Sequence, residues 1–483
     1  MREEPGVRPH KFLPLGVFLR VLRVSVVKRF SEMSSSYQSA VDSLFALAPE
    51  LWTQPGQKPR RKFDLEHMRV LAEALGHPER RFPSIIVAGT NGKGSTSAML
   101  ASILTEAGYR TGLYTSPHLV RVNERIAIDG ELISDPEFTE MHERIEAASQ
   151  RLLAAGKLDQ HPSFFEMLTA MAFEYFASAS IDLAVLEVGI GGRLDATNIA
   201  DPLLSVITDI SLDHTEWLGN TLSEIAREKA GILRRKGTLV SIPQHPEVNE
   251  VIGGVARELD VRAVNATAYM PSITPAAEPL ESGAGEQPLN RYQLEVMGHE
   301  VEISSQLVGR HQLRNTALAI AAAVELKQSF GYNVSATDIA AGVANTRWPG
   351  RFQIIPGLPE IVLDVAHNPA GAWALRSTLS SRYEGQPLTI IFGAMRDKAI
   401  SEIAEILFPL ADEVIATKVN SPRAATPEQI RAAAEHAGVA VIAEGDLSRA
   451  LALARRRCKT TVITGSVYLV GAALQLLHEN PLR

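Results

Sequence analysis

Three glycines crowd a single lysine in SIIVAGTNGKGSTSAML, residues 84–100. Gly89, Gly92 and Gly94 let backbone N–H groups come close to a ligand and accept left-handed dihedrals. The apolar run Ser84–Ala88 predicts a buried parallel strand, and Ser95 to Glu106 has helical spacing with good helix formers. Strand, glycine loop, lysine, hydroxyls and helix N-terminus together make an anion cradle, and the natural anion is a polyphosphate. The cradle comprises Gly89, Thr90, Asn91, Gly92, Lys93, Gly94, Ser95 and Thr96. It reads G-x-x-G-K-G-S-T, with a glycine between lysine and hydroxyl, where the general form is G-x-x-x-x-G-K-[ST]. Lys93 is expected to reach the terminal phosphates, and Ser95 or Thr96 to meet a bound Mg²⁺. A glycine-rich turn with an incidental lysine is the plainer alternative. Such a loop alone says nucleotide and no more.

Four further stretches carry groups able to do chemistry where loops leave predicted strand ends. YTSPHLVRVNERI (114–126) puts Ser116 at such a mouth, where it could also be a turn hydroxyl before Pro117. LEVGIGGRLDATN (186–198) ends a strand with Glu187 and then turns on glycines. DISLDHTEWLGNTLSEIAREKAGI (209–232) offers Asp213, His214 and Glu216, then Glu228 and Lys229 on a helix. An imidazole is a poor match for Mg²⁺ by softness, so His214 reads on chemistry as a general base or a cap. Lys229 by itself reads as a surface helix lysine. LDVAHNPAGA (363–372) supplies Asp364, His367 and Asn368, and His367 could equally cap a helix.

The elements that must position these groups alternate strand and helix, as a parallel α/β sheet demands. Strands are expected at Ile85–Ala88, Thr111–Thr115, Leu183–Glu187, Leu204–Thr208 and Thr238–Ile242. Helices are expected at about 94–107, 136–155, 164–178, 221–229 and 246–258. NATAYMPSITPAAEPLESGAGEQPLN (265–290) reads as a flexible insertion, followed by a β pair (291–297 and 300–307) and a helix over 309–326. NTRWPGRFQ (345–353) looks like a hinge, and beyond it the alternation restarts with strands near 361–365, 388–392, 413–417, 439–442 and 461–464. The expected fold class is therefore α/β with two doubly wound domains, an N-terminal P-loop ATPase domain and a smaller C-terminal Rossmann-like one. The division is a disordered extension over 1–33, a nucleotide-binding domain over 34–346, a hinge over 347–352 and a second domain over 353–483.

Composition narrows the class. The net charge of −7 argues against a nucleic-acid binder, which would usually show a basic face. A single cysteine, Cys458, rules out an internal disulfide framework, fits a reducing cytoplasm and reads as an incidental thiol. No segment offers the roughly 18 uninterrupted apolar residues of a membrane span. The basic, apolar stretch KFLPLGVFLRVLRVSVVKRF (11–30) is broken by Pro14, Arg20 and Arg23. It reads as a dispensable extension rather than a signal peptide or a membrane-surface helix, with Met33 able to serve as a start.

These motifs, in this order, resemble the Mur ligase family, and within it the folate branch, the folylpolyglutamate synthases including the bifunctional dihydrofolate synthase form. GTNGKGS alone points to the wider family; TSPHL, EVGIGGRLDATN, DHTEWLG, EKAGI and DVAHNP together point to the branch. The resemblance runs from about Ser36 to the C-terminus. It implies an ATP- and Mg²⁺-dependent ligase that phosphorylates a substrate carboxylate and lets the α-amine of L-glutamate attack the acyl phosphate. The acceptor would be a folate or dihydropteroate, and the enzyme a cytoplasmic monomer. By the same resemblance Ser95, Ser116 and Glu187 bind the first Mg²⁺. His214 and a carbamylated Lys229 bind the second. Asn315 meets adenine, Arg351 contacts phosphate, and Asp364 and His367 approach from the second domain. Phe164 or Phe165, in SFFEMLTAMAF (163–173), would stack on the pterin, although buried core is the commoner fate of such a pair. Two rivals remain: another amino-acid ligase of this family, and a non-catalytic nucleotide-binding regulator. The roughly 50 residues from Met33 to Ser84 are too few for a typical carrier-binding domain, which counts against the first.

Overall fold

The computed structural model describes residues 36–47, 64–272, 289–357 and 359–479. The expected extension over 1–33 and most of the expected insertion, 273–288, lie outside them. Among the described residues the chain forms three sheets. The first has eight strands: β1 (Ser84–Ala88), β2 (Thr111–Tyr114), β3 (Ile126–Ile128), β4 (Glu131–Leu132), β5 (Leu183–Glu187), β6 (Leu204–Ile207), β7 (Thr238–Ser241) and β8 (Arg262–Asn265). Their spatial order is β4-β3-β2-β5-β1-β6-β7-β8. The six strands from β2 to β8 in that order run parallel, while β3 and β4 add an antiparallel edge. A hairpin follows, β9 (Asn290–Val296) and β10 (His299–Ser305). The last sheet takes β11 (Gln353–Ile355), β12 (Ile361–Leu363), β13 (Leu388–Phe392), β14 (Glu413–Ala416), β15 (Val441–Ala443) and β16 (Thr460–Thr464), in order β11-β12-β16-β13-β14-β15. Only β11 in it is antiparallel.

Continuous apolar runs become central strands because helices cover both faces of each parallel sheet. In β1, Ile85 and Val87 face one core with Val185 of β5, and Ile86 and Ala88 face the other with Leu186. The Lys93–Glu106 helix is buried nearly all round, from Gly94 to Leu104. It lies between the sheet and the helices Arg310–Phe330 and Ala336–Asn345. The second sheet alternates likewise, with Ile390 and Phe392 in one core and Ile391 in the other. The two sheets meet closely: a Cβ added to Gly471, in the helix Val467–Glu479, would lie 1.8 Å from the Leu119 carbonyl oxygen.

Three expectations need correction. The antiparallel edges β3–β4 and β11, and the strand β8, were not expected: they are short edge pieces, and β4 and β8 are largely exposed, so they lack the buried apolar run that marks the equally short central strands. The expected insertion begins late: Asn265 closes β8 and Ala266–Tyr269 is a 3₁₀ turn with Ala266 fully buried. The helix expected over 309–326 continues to Phe330, ending at Gly331 with φ +77°.

Candidate active site

The C-terminal ends of β1, β5 and β6 and of β12 open onto one cleft, where loops of both sheets converge. On the cradle, Gly89 has φ +155° and a Cβ there would lie 1.8 Å from Thr208 Oγ1. Thr208 Oγ1 in turn donates to the Asn91 carbonyl at 2.8 Å. Gly92 has φ +87° and its absent Cβ would fall 2.2 Å from Asn315 Oδ1. Gly94 leaves room for Trp348 and Glu187, at 3.1 and 3.3 Å from the same kind of point. The loop is tied down from behind: Thr90 N–H donates to the Asp209 carbonyl at 2.7 Å, and the Thr90 hydroxyl to the Ser211 carbonyl at 3.0 Å. Lys93 Nζ donates to the Thr90 carbonyl at 3.1 Å, so its ammonium folds back over the loop.

Glu187, at the end of β5, is 3% exposed and accepts from Ser116 N–H at 3.1 Å. Burial pushes its carboxyl up, against the opposing pull of Lys93, the Ser116 N–H and Arg351. Ser95 is buried beside it on the first helical turn and receives a 3.4 Å contact from Gln312 Nε2. Among the described residues the buried Thr96 hydroxyl has no hydrogen-bond partner. Hydroxyls and a buried carboxylate beside a phosphate cradle are an all-oxygen donor set of the kind Mg²⁺ takes, so Ser95, Ser116 and Glu187 fit that ion.

Lys229 is the main surprise. The sequence alone reads it as a surface lysine, but the helix Leu222–Ala230 turns it inward to 4% exposure, with Nζ 2.6 Å from the Gly89 carbonyl. Burial, with Lys93 adding to it, lowers its pKa to about 7. His214 sits nearby with φ +51° and is held neutral, its pKa lowered to about 4 by burial and by Lys398. An ammonium cannot ligate a metal, so these two residues suit a second Mg²⁺ only once Lys229 carries oxygen. Among the described residues no three His, Cys, Asp or Glu side chains cluster as a metal site.

From the second sheet, Asp364 accepts from the Phe352 and Ala366 N–H groups, both at 2.9 Å. Burial raises its pKa while it lies beside the half-buried Arg351, and both line the cleft. His367 is oriented by an Nδ1 contact with the Val365 carbonyl at 2.9 Å. Asn368 caps the helix Pro369–Arg382 and donates to Asn91 Oδ1 on the cradle at 3.0 Å.

The structure thus brings Gly89 to Ser95, Ser116, Glu187, His214, Lys229, Asn315, Arg351, Asp364 and His367 into one cleft. Thr96 lies one residue below, fully buried. Asn315 lines the cleft beneath the cradle. Its Nδ2 is committed to Gln312 at 2.9 Å and its Oδ1 lies against Gly92, so it supports the loop from beneath. Phe164 lies under the Arg125 guanidinium at 5.3 Å, and Phe165 packs its ring on Gly189. Residues that sequence reasoning did not single out are Gln312, Trp348 and Lys398. Trp348 stands in the WPG segment at 348–350 and could have been noticed; nothing local marks Lys398.

The family model of the Mur ligase middle domain matches residues 87–323, and that of the Mur ligase glutamate ligase domain matches residues 350–471. A Bacillus subtilis protein named dihydrofolate synthase/folylpolyglutamate synthase is 34% identical over 412 residues, covering 84% of this chain and 93% of its own. Mycobacterium tuberculosis folylpolyglutamate synthase complexed with ADP superposes with a TM-score of 0.81 at 34% identity, over 92% of this chain and 100% of that one. Escherichia coli FolC in complex with DHPP and ADP gives 0.77 at 30% identity, over 91% and 98%.

Proposed function

Because the chain belongs to the Mur ligase family, in the branch of folylpolyglutamate and dihydrofolate synthases, we propose that it joins L-glutamate to a folate, and to dihydropteroate as well. The reaction is ATP-dependent. The acceptor carboxylate takes the terminal phosphoryl group of ATP, releasing ADP. The glutamate α-amine then attacks the acyl phosphate carbon, forming the amide and expelling phosphate.

Each residue has a task in this reading. Backbone N–H groups of the cradle hold the polyphosphate, and Lys93 and Arg351 meet its charge from the two sheets. Ser95, Ser116 and Glu187 would hold Mg²⁺, which would supply positive charge against the transferred phosphoryl group. The neutral amine of Lys229 captures CO₂, releasing a proton, and the carbamate oxygens together with His214 would hold a second Mg²⁺. Asp364 positions Arg351 and the hinge backbone through its hydrogen bonds to Phe352 and Ala366, and His367 faces the reacting end. Phe165 offers an aromatic wall to the pterin. We place the domain division at 347–352, with the halves 34–346 and 353–483, and the enzyme in the cytoplasm as a monomer.

One observation carries the proposal: the cradle and the second sheet share a single site, joined at Asn91 and Asn368. A nucleotide-binding regulator has no need of a second parallel sheet bonded onto its phosphate loop. The test is ADP release with dihydropteroate and with tetrahydrofolate, each with and without L-glutamate. Glutamate-dependent turnover with either acceptor supports the ligase, and the acceptor pattern separates the two named activities. ADP release indifferent to glutamate would favour the regulator.

A further inference from the structure

Asp213 stands on the loop after β6, one residue before His214, yet most of its partners come from the other sheet. Lys398, on the loop after β13, brings Nζ to 2.6 Å from Oδ1, with the two side chains only 11% and 9% exposed. Asn368 donates Nδ2 to Asp213 Oδ2 at 3.2 Å while its Oδ1 accepts from Gly371 N–H at 2.8 Å. His367 Nε2 lies 3.5 Å from Oδ2. On its own side the carboxylate accepts from the His214 backbone N–H at 2.9 Å, next to the left-handed backbone of that residue.

We infer that Lys398 and Asp213 form a clasp that closes the second sheet over the cradle and fixes His214 and His367 at the reacting end. Both are positioning residues, acting through their neighbours. An ion pair shielded from water is screened little by salt, and removing one partner leaves an uncompensated buried charge. The readiest relief for a stranded Asp213 is to admit water, which here means separating the sheets about the 347–352 hinge. A substrate-contacting role for Lys398 would leave closure to other contacts. The rate consequences rest on the ligase reading; the closure does not.

The experiment combines small-angle scattering of the nucleotide-free chain with steady-state kinetics for wild type, Lys398→Met, Lys398→Arg and Asp213→Asn. Lys398→Met and Asp213→Asn should enlarge the radius of gyration and lower kcat by about 100-fold, as misplacement of reacting groups does. The KM for glutamate should stay within about twofold, since only interactions weaker in the ground state than in the transition state are lost. Lys398→Arg should restore compactness and most of the rate. A Lys398→Met variant as compact as wild type would overturn the clasp. So would a KM rise for ATP or glutamate with kcat intact, which would make Lys398 a substrate contact. If Lys398→Met fails to fold by thermal melt, the same criteria apply to the near-isosteric Asp213→Asn. A wild type without ligase activity whose variants nevertheless open would sink the ligase reading and leave the clasp standing.

Discussion

Lys93 and Lys229 are two lysines on one phosphate loop's surroundings, and their tasks differ. Among the described residues the hydrogen bond of Lys93 Nζ is to the Thr90 carbonyl, within its own loop. Lys93→Ala should abolish ligation and leave the melting curve and circular dichroism unchanged; retained turnover would remove the ATP-site assignment. Lys229 is buried against Gly89, and its pKa of about 7 lies below the roughly 10.4 of an unfolded lysine. Between those values the unfolded chain binds the extra proton, so stability rises with pH there. The cost of the buried ammonium is fully present below about pH 7 and is relieved as pH climbs towards 10. In CO₂-free buffer, Lys229→Met should therefore be stabilised relative to wild type most at pH 6 and least near pH 10, read from melts across that range. With CO₂ present, Lys229→Ala should lose most activity and regain part of it from small carboxylic acids. Lys229→Arg should stay inactive, because a guanidinium cannot become a carbamate; full activity in that variant would end the carbamate proposal.

At the scale of elements, the strand–loop–helix unit from Ser84 to Glu106 is held by its glycines rather than by caps. Gly92 is the N-cap of the helix, in a left-handed conformation, with Asn315 pressed against it. Gly92→Ala should cost about 1–3 kcal/mol of stability for strain and displacement. Nucleotide affinity should fall about tenfold or more, because the loop N–H groups lose their aim. Gly254, mid-helix with open space where a methyl group would stand, is the control. Gly254→Ala should stabilise by about 0.5–1 kcal/mol and leave nucleotide binding alone. Calorimetric titration with ADP and thermal melts separate the two; equal behaviour would show that the cradle glycine has no special task. Sequence periodicity located this unit to within a residue or two because its strand is a pure apolar run and its helix follows at once. It missed β8, whose Arg262, Ala263 and Asn265 are exposed and whose apolar content is too low to mark a strand.

Among the described residues the two larger, mainly parallel sheets bring their strand ends to one cleft. A nucleotide bound there touches both, so it should stabilise them together. At about 100 times its dissociation constant, ADP with Mg²⁺ should add about 2.7 kcal/mol to the bound state. Melts should shift upwards as a whole, with the second-sheet helix Pro369–Arg382 gaining amide protection alongside the cradle. Protection confined to residues near 84–106 would mean that the sheets do not close on the ligand. The two alternations of strand and helix on either side of 345–353 made both sheets visible in the sequence. How they face one another was not, because the joining contacts lie in loops without a repeating pattern.

Local sequence marks the cradle and the succession of the central strands along the chain, because glycine freedom, apolar period and a hydroxyl beside a lysine depend on neighbours within a few positions. Most other cleft residues were marked by the resemblance of their motifs to the folate branch rather than by local chemistry. That Lys229 is buried, that Asn315 lies against Gly92, and that Asp213 pairs with Lys398 at a separation of 185 residues came only with the folded arrangement. The reason is physical. Desolvation and ion pairing belong to what surrounds a side chain, and those surroundings are assembled by packing two sheets whose mutual placement no local propensity encodes.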